Sequence, residues 1–277
     1  YTERNGRTLH YVVDGRGPVT VVFESGMGRG RSAWALVQPI VSQFARTVVY
    51  DRAGFGPSDP DPSGRGFSRL RDDHLAILDA AVDGPAVLVG HSYGGPIVRS
   101  GALHRPDITS GVVLVDEVNE LITPRRMLAG MRGASLVYAA QMLLARVGLL
   151  RWALSRTYYR RLSGPALEVA LDEESTLTAA IAARDEWRAF GESFTRLHEN
   201  GPLVPAGALT SISTKRVDDE DARRERDFMS NAHLELVSLA DDGRHVFAEG
   251  RSHHLQFSEP ALVADEIRRS VEQVGVA

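Results

Sequence analysis

Val19-Thr20-Val21-Val22-Phe23, Val87-Leu88-Val89 and Gly111-Val112-Val113-Leu114-Val115 are short runs without the polar alternation of a strand that wets one face. A strand of that composition must be covered on both sides, as in a parallel sheet. Between the runs lie segments with helical spacing. Residues 69–82 place Leu70, His74, Ile77, Leu78 and Ala81 on one face, and residues 93–104 begin a second helix near two glycines. Strand and helix in alternation predict a parallel sheet with right-handed crossovers. The expected class is α/β, a mostly parallel central sheet flanked by helices. Further strands are expected at 8–14, 47–51, 209–214 and 245–249, with Gly15-Arg16-Gly17-Pro18 as a turn. Helices are expected at 32–44, with Ser32 as N-cap, and at 260–274.

From about 120 to 200 the pattern changes to helices alone and gathers many of the aromatics, among them Tyr138, Trp152, Trp187, Phe190 and Phe194. The expected organisation is a core of residues 1–119 and 201–277, with 120–200 inserted as a helical cap, or lid, over the strand ends. The longest apolar stretch, 134–154, is interrupted by Gln141, Arg146 and Arg151, which argues for a buried or lid helix and against a membrane span.

Composition removes other chemistries. A chain of 277 residues without cysteine can have no disulfide, thiol nucleophile or cysteine-bound zinc. Its net charge is −4, its basic residues are scattered, and its pI is near 6.2, so no nucleic-acid partner is expected. The glycines at 26, 28 and 30 lack dinucleotide-fingerprint spacing, no P-loop lysine is present, and the other histidines lack ligand spacing. No cofactor or metal is expected, and His74 reads as a packing residue. No signal peptide is visible from Tyr1 onward, and the expected compartment is the cytoplasm.

The most informative segment is Gly90-His91-Ser92-Tyr93-Gly94-Gly95, a G-x-S-x-G placed between a predicted strand and a predicted helix. A turn that tight needs neighbours without side chains. It lifts Ser92 above the C-terminal sheet edge, where a helix N-terminus supplies positive potential. Ser92 is thus the candidate nucleophile, against the plainer reading of an unreactive serine in a glycine-rich turn. Serine needs a base within hydrogen-bond reach. His253-His254, in the loop before the last helix, lie at the same sheet edge, although such a pair can also be ordinary surface. An acid to orient the base is available as Asp116, 24 positions past Ser92, or in the later run containing Asp218, Asp219 and Asp221. One oxyanion donor would be the N–H of Tyr93, directly after the nucleophile.

These stretches, with Phe23-Glu24-Ser25-Gly26-Met27-Gly28, Asp51-Arg52-Ala53-Gly54-Phe55-Gly56-Pro57-Ser58 and Ser252-His253-His254-Leu255-Gln256-Phe257-Ser258-Glu259-Pro260, resemble the α/β-hydrolase-fold serine hydrolases. The resemblance spans nearly the whole chain in order. It implies that His253, seven positions ahead of Pro260, is the base, and that Met27 gives the second oxyanion N–H. Ser25 stands where the family usually has histidine. The acid is Asp116 by resemblance to members with an early acid, with Asp218 as the fallback, since Gly-x-x-Asp is missing at the later strand. A serine nucleophile points away from the aspartate-dependent dehalogenases and epoxide hydrolases. It implies a carboxylesterase- or lactonase-like enzyme acting on a hydrophobic small molecule between cap and sheet edge. Carbon–carbon hydrolases, perhydrolases and binding-only members share the pattern.

Overall fold

The computed structural model describes residues 1–4, 6–214 and 220–274. The chain opens with β1 (Thr2–Arg4) and β2 (Arg7–Leu9), an antiparallel pair whose polar composition gives no apolar signal. β3 (Tyr11–Asp14) follows, and the expected strand at 8–14 is divided at His10. There the backbone N–H leaves the ladder and donates to Ser58 Oγ at 2.9 Å. β4 (Thr20–Glu24) is buried along its whole length.

The helix expected at 32–44 is not continuous. A 3₁₀ turn, Arg31–Trp34, is followed by a new start at α1 (Gln38–Val41), where Pro39 occupies the first turn and needs no N–H partner. Ser32 is not its N-cap. Gly30 holds that place, and the Ser32 hydroxyl donates to Glu174 Oε1 at 3.1 Å. Next come β5 (Arg46–Tyr50), α2 (Phe67–Ala81), β6 (Ala86–His91), α3 (Gly94–His104) and β7 (Thr109–Val115).

A helical insertion then separates β7 from its neighbour in the sheet. It comprises α4 (Pro124–Gly130), α5 (Ala134–Arg146), α6 (Leu150–Leu154), a 3₁₀ turn at Tyr158–Arg161, α7 (Gly164–Glu174) and α8 (Leu177–Asn200). The apolar stretch 134–154 is two helices because Gly148, at φ 72°, turns the chain between them. Thr176 caps α8, accepting from the Ala179 N–H at 3.0 Å. β8 (Ala208–Ser213), α9 (Glu220–Ser238), β9 (Asp242–Phe247), α10 (Leu255–Ser258) and α11 (Pro260–Val274) complete the chain.

The main sheet has seven strands in the order β3-β5-β4-β6-β7-β8-β9, all parallel except the β3–β5 pair. Alternate residues feed two cores, the two-residue period of a strand covered on both faces. Val22, Leu88, Val112 and Leu114 pack with Ile77 of α2 and Val98 of α3. Val21, Phe23, Val87, Val89, Val113 and Val115 pack with Trp34 and with Val263 and Ile267 of α11. The C-terminal ends of β4, β6, β7, β8 and β9 therefore share one edge, and the loops that leave them carry the candidate residues. Among the described residues no helix is long and apolar enough to cross a membrane.

Candidate active site

Ser92 sits between β6 and α3 with φ of 52°, a left-handed conformation that costs a non-glycine residue about 1–2 kcal/mol. Its neighbours are glycines for want of space. A Cβ on Gly94 would lie 2.7 Å from the Glu24 carbonyl oxygen, and one on Gly95 2.5 Å from Glu117 Cβ. The strained residue is pinned through its backbone. Its N–H donates to Val115 O at 3.1 Å, and its carbonyl accepts from Gly95 and Val118 at 3.0 and 2.9 Å. The side chain at the tip remains half-buried.

Asp116, the first residue past β7, is the other non-glycine residue at positive φ, 43°. Its N–H donates to Ile212 O at 2.8 Å, tying the turn to β8. The two carboxylate oxygens have different partners. Oδ1 accepts from the Thr214 N–H at 3.3 Å, and Oδ2 lies 2.6 Å from His253 Nδ1. That contact leaves Nε2 on the far side of the imidazole. Ser92 Oγ and His253 are not hydrogen-bonded to each other in this structure. Asp218, Asp219 and the side chain of Asp221 lie outside the described residues.

His91 and His254 surround the His253 ring, with centroids 4.7 and 5.3 Å away. Burial, and then the neighbouring His253 charge, push the His91 pKa down to about 3. Burial followed by His91 and His253 pushes His254 down to about 2. Both are neutral near pH 7. His91 Nε2 donates to the His253 carbonyl at 3.0 Å, which fixes that loop against the Ser92 turn. The His254 carbonyl accepts from the Phe257 and Ser258 N–H groups and starts α10. Of the two adjacent histidines, His253 alone is within hydrogen-bond distance of the Asp116 carboxylate.

The loop after β4 presses on the same point. A Cβ on Gly26 would come within 2.7 Å of His91 Nδ1 and 3.2 Å of Ser92 Cβ, so only glycine permits the approach. Neither the Met27 N–H nor the Tyr93 N–H is donated to an acceptor among the described residues. The Ser25 hydroxyl donates to Gly30 O at 2.9 Å and closes the loop on itself.

Sequence reasoning assigned no role to the residues that clamp this loop. Arg52, fully buried, donates to the carbonyls of Ser25 and Gly26, each at 2.6 Å. It also pairs with Glu24 at 2.7 Å and with Glu186 at 2.9 Å. Glu186, reaching in from α8, accepts from the Gly28 N–H at 2.7 Å and from Arg65 at 2.5 Å. Burial opposes charge on both Arg52 and Glu186, but their mutual attraction outweighs it. The guanidinium is driven above its usual range, and Glu186, also facing Arg65, is held below the usual carboxylate range. Tyr50 donates to the other Glu24 oxygen, and His74 Nδ1 lies 3.3 Å from the same phenol. His74 is therefore a polar neighbour of this cluster as well as a packing residue. Arg52 belongs to a quoted motif, but no local pattern marks Glu186, whose partners are more than 120 positions away.

Aromatic side chains continue from this corner into the insertion. Tyr93 meets Phe190 edge-on at 4.9 Å, and Phe190, Trp187 and Tyr138 stack in succession at 6.1 Å each. Met27 packs into the same apolar cluster. Among the described residues no group of three or more His, Asp or Glu could hold a metal ion.

Comparison with known proteins bears on the fold and the family. The probable transporter efuK of Hormonema carpetanum is 26% identical over 93% of this chain, but the chain spans only 40% of that protein's length. The epoxide hydrolase CorEH superposes with a TM-score of 0.72 at 19% identity, covering 98% of this chain and 96% of the other. The enol-lactonase of Burkholderia xenovorans LB400 superposes at 0.64 and 20% identity, covering 97% and 98%. At such identities the superpositions speak for the fold. Residues 21–266 match the family model described as the alpha/beta hydrolase family, and the chain belongs to that family.

Proposed function

We propose that this protein is a serine hydrolase that cleaves an ester or lactone of a hydrophobic small molecule, with residues 120–200 acting as its cap. The observation that carries the reading is the 2.6 Å contact between His253 Nδ1 and Asp116, beside a serine held at positive φ. In this reading Asp116 fixes the imidazole tautomer with Nδ1 protonated, leaving Nε2 as the base. A small ring or side-chain movement brings Nε2 to Ser92 Oγ when substrate binds, as such contacts often tighten only in the complex. Oγ attacks the carbonyl carbon while its proton passes to Nε2. The oxyanion is met by the N–H groups of Met27 and Tyr93. Collapse breaks the C–O bond, the alcohol departs with the proton from Nε2, and an acyl-Ser92 remains. Water, deprotonated by His253, then releases the acid and restores Ser92. The apolar cluster of Met27, Tyr93, Phe190 and Trp187 supports a hydrophobic substrate, and the name of the Burkholderia enol-lactonase is in keeping with a lactone.

The test is fluorophosphonate labelling read by mass spectrometry, on wild type and Ser92→Ala, beside p-nitrophenyl esters of increasing acyl length. The expected result is one adduct on Ser92, lost with turnover in the variant, and faster reaction of the longer acyl chains. A folded wild type that neither labels nor turns over any ester contradicts the proposal.

A further inference from the structure

The outer face of α5 is apolar and uncovered. Leu136, Val137, Leu143 and Val147 are 76%, 56%, 62% and 58% exposed, and Leu149 and Trp152 extend the patch at 51% and 58%. The inner face of the same helix is apolar too, with Met142 buried and Tyr138 stacked on Trp187. A helix that is apolar all round is ordinarily buried, and a contiguous exposed patch of this kind marks a docking surface.

The segment that carries the patch is charged with one sign. Residues 121–163 hold eight of the chain's 32 basic residues and none of its 36 acidic ones, although the chain as a whole is net acidic. Seven of these arginines are exposed. Only Arg151 meets carboxylates among the described residues, Glu168 and Asp172. Arg132 and Arg146 flank α5, and the Arg156 guanidinium lies 4.0 Å from the Trp152 ring centroid.

We propose that this face docks on an anionic lipid bilayer, with α5 lying in the plane of the interface. The apolar side chains would enter the boundary between headgroups and acyl chains while the arginines meet lipid phosphates. Charge selects this occupant. A two-fold contact between copies through the same face would set arginines against arginines. A neutral apolar partner would leave them unanswered. Among the described residues no helix is long and apolar enough to span, so the proposal is of peripheral docking through this face. Gln141, Leu150 and Leu154, from the same two helices, line a small cavity against Gly28 and Arg29, so the docked face is the outside of a wall whose inside reaches the β4 loop.

The experiment is co-sedimentation with vesicles of phosphatidylcholine alone and of equal parts phosphatidylcholine and phosphatidylglycerol. Tryptophan emission is recorded alongside, since Trp34 is buried, Trp187 is half-buried, and Trp152 is the exposed indole. Binding to the mixed vesicles is expected, with a blue shift that Trp152→Phe removes and weakening at high salt. R146Q/R156Q should bind about 25-fold more weakly, at roughly fivefold per arginine near the surface. L136S/L143S should lose binding, and because both positions are exposed its circular dichroism should match wild type. Ser92→Ala should bind as wild type does, so the outcome stands apart from that of the hydrolase reading. Folded protein that ignores both vesicles, or binds both equally, overturns the proposal. So does a dimer that L136S/L143S dissolves in the absence of any vesicle binding.

Discussion

Replacing Glu186 with alanine removes the one carboxylate shared by two buried guanidinium groups and a backbone N–H. Arg52 keeps Glu24, but Arg65 loses its only carboxylate among the described residues, and the Gly28 N–H loses its acceptor. Breaking a buried ion pair by removing one partner costs about 3–5 kcal/mol, because the remaining charge stays desolvated. The unpaired Gly28 amide is the smaller loss, since a buried donor alone costs about 1–3 kcal/mol. For a chain of this size the expected fall in Tm is roughly 6–20 °C, at about 2–4 °C per kcal/mol. Urea denaturation of wild type, Glu186→Ala, Arg65→Met and the double variant would measure it. The double variant should recover much of the loss, since it no longer buries an unpaired Arg65. Glu186→Ala should also slow turnover through kcat more than through KM, because the loop it holds bears the proposed oxyanion donor at Met27. A cost below about 1 kcal/mol, or no recovery in the double variant, would refute the account of Glu186 as a buried counter-ion.

Asp116→Asn is expected to lower kcat by up to about 10⁴ with little change in KM, because the amide favours the wrong His253 tautomer. Steady-state kinetics on a p-nitrophenyl ester checks it, and a loss of less than tenfold moves the acid to another residue, Asp218 first. Acid should destabilise the protein through His91 and His254. Their folded pKa values, about 3 and about 2, lie below the unfolded value near 6.5, so the unfolded state binds more protons as pH falls. The stability they contribute is complete above pH 6.5 and is lost progressively toward pH 3, at about 1.4 kcal/mol per pH unit for each histidine. For His91 alone this is about 2 kcal/mol at pH 5. Urea midpoints at pH 8, 6 and 5 should therefore fall, and His91→Gln should flatten the slope; an unchanged slope would remove His91 from the explanation.

The fold was legible because its signals are local. Val21 to Phe23 and Val112 to Val115 carry no polar residue, and only a strand covered on both faces uses such runs. The tight turn at Ser92 was legible for a related reason: the glycines at 90, 94 and 95 answer clashes within a few residues of the turn and with the facing loops. The helix expected at 32–44 failed where side-chain spacing outvoted Pro39. The division at His10 follows from a hydrogen bond to Ser58, 48 positions away, which periodicity does not encode. Asp116 could be chosen over later aspartates only by resemblance, since its contact with His253 spans 137 positions. Glu186 was invisible: on α8 it is one more glutamate, and its burial is set by Arg52 and Arg65 arriving from other loops.

The placement of the insertion between β7 and β8 sets an order of events during synthesis. β7 and Asp116 leave the ribosome long before β8, yet the Asp116 turn is closed by Ile212 and Thr214. β3 to β7 can pair while the insertion is still being made, because all their sheet partners up to that point are upstream. The Asp116 turn cannot lock until β8 slots in beside β7, and His253 arrives later still. A nascent chain halted between about residues 120 and 207 would thus carry the Ser92 turn without the β8 partners of Asp116 and without His253. Long-range closure of this kind is the slow part of folding, and here it coincides with completion of the site.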